Sequence, residues 1–464
     1  MNRHGNHPAP RAPHRTPGPP EPSRLSRPSE PSRPSEPFES SESSVRPGLS
    51  GAAAPSGPSA PSRARAPRAR RGDQEARELL RVAQELADDL ASDAVARDRD
   101  GKPPAEEAER IREAGLPGRL GPPCGPYGTD WRTGCAVVRE IAAADSSLGE
   151  LLARHHVLAR SGRFFGTRHR ATQLERTAAS RQWLWAGELR TVTDGARPDD
   201  LTLTPDGSGY LLDGRRAVRA GAAVADQLLV DAVCTGSGDV LVVRVPRDRA
   251  GVAVEPVWER LGQRVAGAGT VDFERVALTP REVLGTAPDD EESTAPSTAL
   301  ASPALRLALA HVALGTVEGA LAEARDVSRG AAGTGADGWA AGGDPDLLVA
   351  YGELAASAHT AAAVVERATD AAADALTAGA ALGVDEQFDV AVQVCAAEEF
   401  TSRTALEATA RVLELAEAPG LDRFWRNART LTAHRRSAPG LRHIGGHYLR
   451  ETGRPGLCAT RRSP

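Results

Sequence analysis

Between about residues 185 and 285 the apolar side chains of this chain tend to recur at every second position, and on both sides of that stretch they recur every three to four. A period of two buries one face of a strand and a period near 3.6 buries one stripe of a helix, so the switch and its reversal encode a helical lobe, a β lobe and a second helical lobe. Runs at Leu201–Thr204, Gln227–Val233, Val240–Val245 and Thr270–Ala277 predict strands, and the turn Pro205-Asp206-Gly207-Ser208-Gly209 joins two of them. Upstream, Leu79, Leu80, Val82, Ala83, Leu86, Ala87 and Leu90 share one face of a helix from about 74 to 98. Helices follow at 104–115, 131–144 and 147–160, the last with Ser146-Ser147 as its expected cap. Downstream, Ala/Leu/Val-rich helices at about 303–328, 345–379 and 385–416 predict a bundle, and the fold class is α+β.

The first 72 residues do not join this pattern. They are Pro-, Ser- and Arg-rich and repeat Ser-Arg-Pro-Ser-Glu-Pro at 26–31 and 32–37, a composition too poor in apolar surface to offset ordering entropy. The expected organisation is a disordered tail at 1–72, a helical domain at 73–182, a β domain at 183–288, an acidic linker at 289–302 and a helical bundle at 303–464.

Net charge is −5 over 464 residues, and residues 1–71 hold 12 Arg and 5 Glu, so the globular part is acidic and offers no footprint for nucleic acid. The five cysteines are scattered and form no Cys-x-x-Cys pair, which argues for reduced thiols in the cytoplasm and against a zinc site or a disulfide framework. No uninterrupted apolar run approaches the ~18 residues of a membrane span, so no membrane association is expected. Gly333-Thr-Gly335-Ala-Asp-Gly338 satisfies a dinucleotide-loop spacing but follows a helix instead of a strand, and reads as a linker.

Two places combine chemistry-bearing residues. His155-His156 lies on an apolar helix that must turn at least one imidazole inward. The run 420–434 sets Arg423, Arg426, Asn427 and Arg429 around Phe424 and Trp425 and ends at His434. Guanidinium forks among aromatic rings suit either a planar, phosphate-bearing ligand or an ion-paired helix packed in the bundle, and spacing leaves both open.

The Phe-Trp-Arg-Asn-Ala-Arg-Thr run resembles the acyl-CoA dehydrogenase superfamily, as do Arg-Glu-Ile-Ala-Ala-Ala-Asp-Ser-Ser-Leu-Gly at 139–149, Val-Asp-Phe-Glu-Arg-Val-Ala-Leu-Thr-Pro-Arg-Glu-Val-Leu-Gly at 271–285 and Leu-Gly-Thr-Val-Glu-Gly-Ala-Leu at 314–321. More narrowly, these residues are similar to its flavin-dependent monooxygenase branch. The resemblance implies an N-terminal helical domain, a central β domain and a C-terminal four-helix bundle, assembled as a homotetramer. It also implies reduced FMN from a separate flavin reductase, molecular oxygen, and oxygen transfer through a flavin hydroperoxide to a small substrate. FAD-dependent acyl-CoA dehydrogenation and a non-catalytic binding or assembly protein are the alternatives.

By the same resemblance His434 and His155 are catalytic, Trp258 and Trp185 line the substrate pocket, and Arg329, Arg423, Arg426, Asn427, Arg429, Gly187 and Gly221 contact the cofactor; no metal is implied. The chain departs from the pattern in several places. Leu431 replaces the first histidine of the C-terminal pair and Arg435-Arg436 follow the second. Trp185-Ala186-Gly187 stands where the branch has Gly-Asn-Ala, and Ala220 replaces a hydroxyl residue. The loop before the Arg-rich helix shortens to Ala416–Gly420, where Glu417 is the one carboxylate a dehydrogenase would need as base.

Overall fold

The computed structural model describes residues 65–188, 201–287, 295–331, 345–433 and 437–450. The expected tail up to residue 64 and residues 289–294 of the expected acidic linker lie outside them, and the rest of that linker is largely helical. The tail boundary shifts, because helix α1 spans Arg65–Ser92. Its first residues are Ala and Arg, good helix formers, and Pro67 sits in the first turn where its missing N–H costs nothing.

The N-terminal lobe continues with α2 (Ala94–Asp100), α3 (Ala105–Glu113), α4 (Leu116–Arg119), α5 (Trp131–Ala144), α6 (Ser146–Leu158), α7 (Ser161–Phe165) and α8 (Arg168–Ser180). The single helix expected over 74–98 is interrupted at Asp93. The cap of α6 also differs from expectation: Asp145, not a serine, accepts from Ser147 N (2.9 Å) and Leu148 N (3.3 Å). A carboxylate adds its charge to the helix dipole, and here Arg97 holds that carboxylate from the other side at 2.9–3.0 Å. Every residue of α6 is buried.

The β lobe is an eight-stranded sheet: β1 (Trp185–Glu188), β2 (Leu201–Asp206), β3 (Gly209–Val218), β4 (Gln227–Cys234), β5 (Val240–Pro246), β6 (Val252–Pro256), β7 (Gly269–Leu278) and β8 (Val283–Thr286). Its order is β6-β7-β3-β2-β4-β5-β8, with β1 added parallel to β4. The four predicted strands are β2, β4, β5 and β7. The turn at Gly207 leads into β3, which pairs antiparallel with both β2 and β7.

The bundle holds α9 (Pro296–Ala299), α10 (Ala301–Ala331), α11 (Pro345–Ala378), α12 (Val384–Leu415), α13 (Asp422–Thr432) and α14 (Ser437–Arg450). Helix α10 is its axis, packing on α11, α12 and α13 and also on α5 and α6. That approach is close because Gly315 and Gly319 lie one turn apart on α10: a Cβ at either would stand 2.4 Å from Arg139 O or 2.0 Å from Ala143 O. The two helical lobes consequently share one apolar core, whereas the β lobe has its own. By length and mean hydropathy, Pro296–Gly330 and Pro345–Ala381 do reach the apolarity of a membrane-crossing helix, which uninterrupted runs did not reveal. Of their apolar windows 67% and 28% respectively are buried, so the first is core and the second presents apolar residues outward.

Three histidines are sealed in the helical core. His155 Nε2–H donates to Pro117 O (3.0 Å), His156 Nδ1–H to Leu120 O (2.7 Å), and His311 Nε2 meets Thr369 Oγ1 at 2.8 Å. Burial pulls His155 down to about 4 and His311 to about 3, and holds His156 well below the ordinary imidazole value, with Arg160 beside it adding repulsion. The unfolded chain takes up protons near pH 6.5 while the native state stays neutral, so stability is complete above that value and falls as pH drops towards 4. Each histidine contributes a slope of about 1.4 kcal/mol per pH unit in that window. Urea unfolding at pH 7, 6 and 5 should show a steep loss, and His311→Gln should reduce the slope by about one proton; an unaltered slope would contradict the burial of that imidazole.

Candidate active site

The three lobes converge on the first turn of α6. Ser146 Oγ lies 2.7 Å from Thr316 Oγ1 on α10 and 3.0 Å from the side-chain amide of Gln263, in the loop between β6 and β7. Gln263 is held in the left-handed region (φ 54°), and its backbone N–H donates to Asn427 Oδ1 on α13 at 2.6 Å. Two residues earlier, Leu261 O accepts from Arg426, whose fork also reaches Asp98 (2.6 Å) and Asp422 (2.9 Å). Arg423 pairs with Glu323 and donates to Gly420 O (2.9 Å). Arg423, Arg426 and Asn427, expected as cofactor contacts, are therefore committed within the chain. Their carboxylate partners on α2 and α10 are remote in sequence, which is why spacing left the matter open.

His155, expected as catalytic, is engaged inside the chain. Its Nε2–H is given to Pro117 O and its Nδ1 accepts the Trp185 N–H at 3.2 Å, so both nitrogens are used and the ring has no solvent exposure. It ties α4 and α6 to the start of β1. Along β1, a Cβ at Gly187 (φ 152°) would stand 2.0 Å from Leu229 O, so glycine is what lets β1 lie in register on β4. Gly221 (φ 80°) donates to Ala266 O at 2.7 Å and backs onto Ala186. Trp185 is buried with an indole N–H that finds no acceptor among the described residues. Trp258 lies on the surface at 54% exposure.

At the C-terminal end of α13 a groove of about 470 Å³ opens against α12, lined by Glu399, Ser402, Arg403, Arg429 and Thr432, with Ala433 at its end. Arg403 is held one turn from Glu399 (2.7 Å), whereas the Arg429 guanidinium has no ion-pair or hydrogen-bond partner among the described residues. His434 is the next residue in the chain and lies outside the described residues. Arg329, exposed in the last turn of α10, is likewise unpaired among them. Arg403 had escaped sequence reasoning because nothing in the spacing connects α12 to α13; the i,i+4 pair with Glu399 was its one local signal. Glu417 is exposed. Among the described residues no cluster of His, Cys, Asp or Glu is arranged to hold a metal.

Two guanidinium groups facing one groove fit the phosphate of a flavin mononucleotide, while the Ser402 and Thr432 hydroxyls donate to carbonyls of their own helices.

Comparison with known proteins decides the family. Over 393 residues the chain is 32% identical to a dibenzothiophene monooxygenase of Mycolicibacterium goodii, spanning 80% of this chain and 94% of that one. The chain belongs to the flavin-dependent monooxygenases of the acyl-CoA dehydrogenase fold. A probable FMNH2-dependent monooxygenase, SfnC, of Pseudomonas putida is 30% identical over 375 residues, covering 77% and 91% of the two chains. FMN-bound TdsC from Paenibacillus sp. A11-2 superposes with a TM-score of 0.71 at 31% identity over 80% of this chain and 97% of that one. No family model matches the sequence. The enzyme is a flavin-dependent monooxygenase and its cofactor is reduced FMN.

The junction makes a testable demand of this monooxygenase. Asn427→Ala removes the acceptor of a buried backbone N–H and should lower the unfolding free energy by about 1–3 kcal/mol in chemical denaturation. An unchanged midpoint would mean that Gln263 does not dock on α13.

Proposed function

We propose that this monooxygenase inserts one atom of dioxygen into a small, sulfur-containing molecule, using reduced FMN delivered by a separate flavin reductase. The observation that carries the site assignment is Arg429, unpaired among the described residues, beside Arg403 in the groove that ends at Ala433. Arg429 and Arg403 hold the phosphate, with Arg329 as a further cation. Bound there, reduced FMN supplies two electrons and two protons, so that one oxygen atom enters the substrate and the other leaves as water.

The chain's own groups govern where this happens. His434 exchanges a proton at its imidazole, which titrates near neutral pH when unperturbed. Neutral His155 fixes the first residue of β1, and Gly187 and Gly221 keep the backbone of that strand close and free of side chains. Trp258 supplies an apolar wall on the substrate side. The sulfur-containing substrate is supported by the dibenzothiophene monooxygenase relatives. A homotetramer joined through the bundle is supported by the outward apolar residues of α11, including Leu348 and Val349. A cytoplasmic setting is supported by the four cysteines among the described residues, all free.

Anaerobic titration with reduced FMN tests the phosphate assignment: Arg429→Ala and Arg403→Ala should each raise Kd about 10- to 100-fold, as expected for a lost charged hydrogen bond. An unchanged Kd for Arg429→Ala would remove the groove from the site. His434→Ala should abolish oxygen transfer to the sulfur substrate in a reductase-coupled assay while leaving the unfolding midpoint in place; full turnover would refute its proton role.

A further inference from the structure

The end of β1 carries a cluster of charges that neither the fold nor the phosphate groove requires. Arg154, buried on α6, lies 3.0 Å from Glu150 and 3.0 Å from Glu188, the last residue of β1. Glu188 also faces Arg219 at 3.6 Å. Arg216 is matched separately by Asp231 at 2.8 Å. A third guanidinium, Arg260, leans on this group without a carboxylate of its own. One of its amino groups donates to two carbonyl oxygens, Arg219 O (3.1 Å) and Gln263 O (3.0 Å). Its Nε and other amino group have no partner among the described residues. Among the described residues Arg154, Arg219 and Arg260 thus face two carboxylates, Glu150 and Glu188, which leaves one positive charge without a matching carboxylate in a half-buried setting. Burial lowers the Arg260 pKa from the ordinary value, Glu150 opposes that shift, and Arg154 and Arg219 add to it. Glu259 is exposed and forms no ion pair with Arg260.

The same loop exposes apolar surface next to that charge. Val257, Trp258 and Leu261 are 44%, 54% and 55% exposed, on a segment that Gln263 and Arg426 anchor to the three-lobe junction. A guanidinium with two donors unused among the described residues, on the same loop as an exposed indole, offers a binding set to an anion with a flat apolar body, because the donors pair its acidic group and the ring covers its body.

We infer that the loop Val257–Gln263 selects substrates that are organic anions, with Arg260 pairing the acidic head group and Trp258 and Leu261 covering the apolar body. This rests on the oxygenase reading above and narrows its substrate to acids such as aryl sulfinates or carboxylates carrying an oxidisable atom.

Equilibrium binding to the full-length protein, read by calorimetry without turnover, tests it with two probes of similar shape: benzenesulfinate, which is anionic, and methyl phenyl sulfoxide, which is neutral. The wild type should bind benzenesulfinate about tenfold or more tightly than the sulfoxide. Arg260→Gln should erase that preference while leaving the affinities for the sulfoxide and for reduced FMN unchanged. Arg260→Lys, which keeps the charge, should retain most of the preference, and Trp258→Ala should weaken both probes alike. Equal affinities in the wild type, or a preference that survives Arg260→Gln, overturns the inference. So does a loss of reduced-FMN affinity in Arg260→Gln with the substrate preference intact, which assigns the cation to the cofactor. A protein that discriminates between the probes but oxidises nothing sinks the oxygenase proposal and leaves this one standing.

Discussion

The buried pair between Arg97 and Asp145 is the contact on which the remaining architecture hangs. Asp145 caps α6, and α6 is the helix whose first turn meets the bundle at Thr316, the β lobe at Gln263 and, through it, α13 at Asn427. Burial pushes the Asp145 carboxyl up, and Arg97 together with two backbone N–H groups draws it back towards ionisation. Pairs of this kind add little net stability when intact, yet losing one partner strands the other charge in the core at a cost of about 3–5 kcal/mol. The arrangement fixes where α6 starts, and so which side chains of that helix reach the sheet.

The same helix explains how charge came to occupy the inner side of the β lobe. Glu150, Arg154 and His155 are successive inward positions of α6, and each meets a different part of the interface: Gln263 and its loop, Glu188, and the start of β1. A wholly buried helix with this many polar groups is stable only because nearly every one finds a partner.

How much of this could be read from the residues depends on range. Periodicity located the long helices and four strands because burial on one face imprints itself locally. It missed β3, where Asp213, Arg215 and Arg216 interrupt the apolar alternation, since Arg216 points inward to a buried aspartate that only the sheet brings near. It missed α8, whose surface is largely polar. The cap of α6 was misassigned because aspartate and serine are both good caps, and only the backbone geometry chooses. In the site, Arg429 was legible from the Arg-rich run, but its freedom was not: Arg423 and Arg426 look the same in sequence and are consumed by Glu323 and Asp98. His155 looked catalytic because an imidazole's task is set by what faces it, here a carbonyl and an amide. The flavin reading came from resemblance, since no local pattern among these residues spells a cofactor.

The shared core of the two helical lobes carries a consequence for the order of events during synthesis. Helices α5 and α6 emerge first, but the apolar surface they offer is covered by α10, which follows only after the entire sheet has been made. The β lobe is in effect a guest inserted into a helical host, able to close its own core while the host waits. Folding of the host is thus delayed by the length of the guest, with Ile141 and Leu152 among the side chains left uncovered in the interval. Nascent chains of this protein stand in greatest need of a chaperone at the point when the sheet is finished and α10 has not yet left the ribosome.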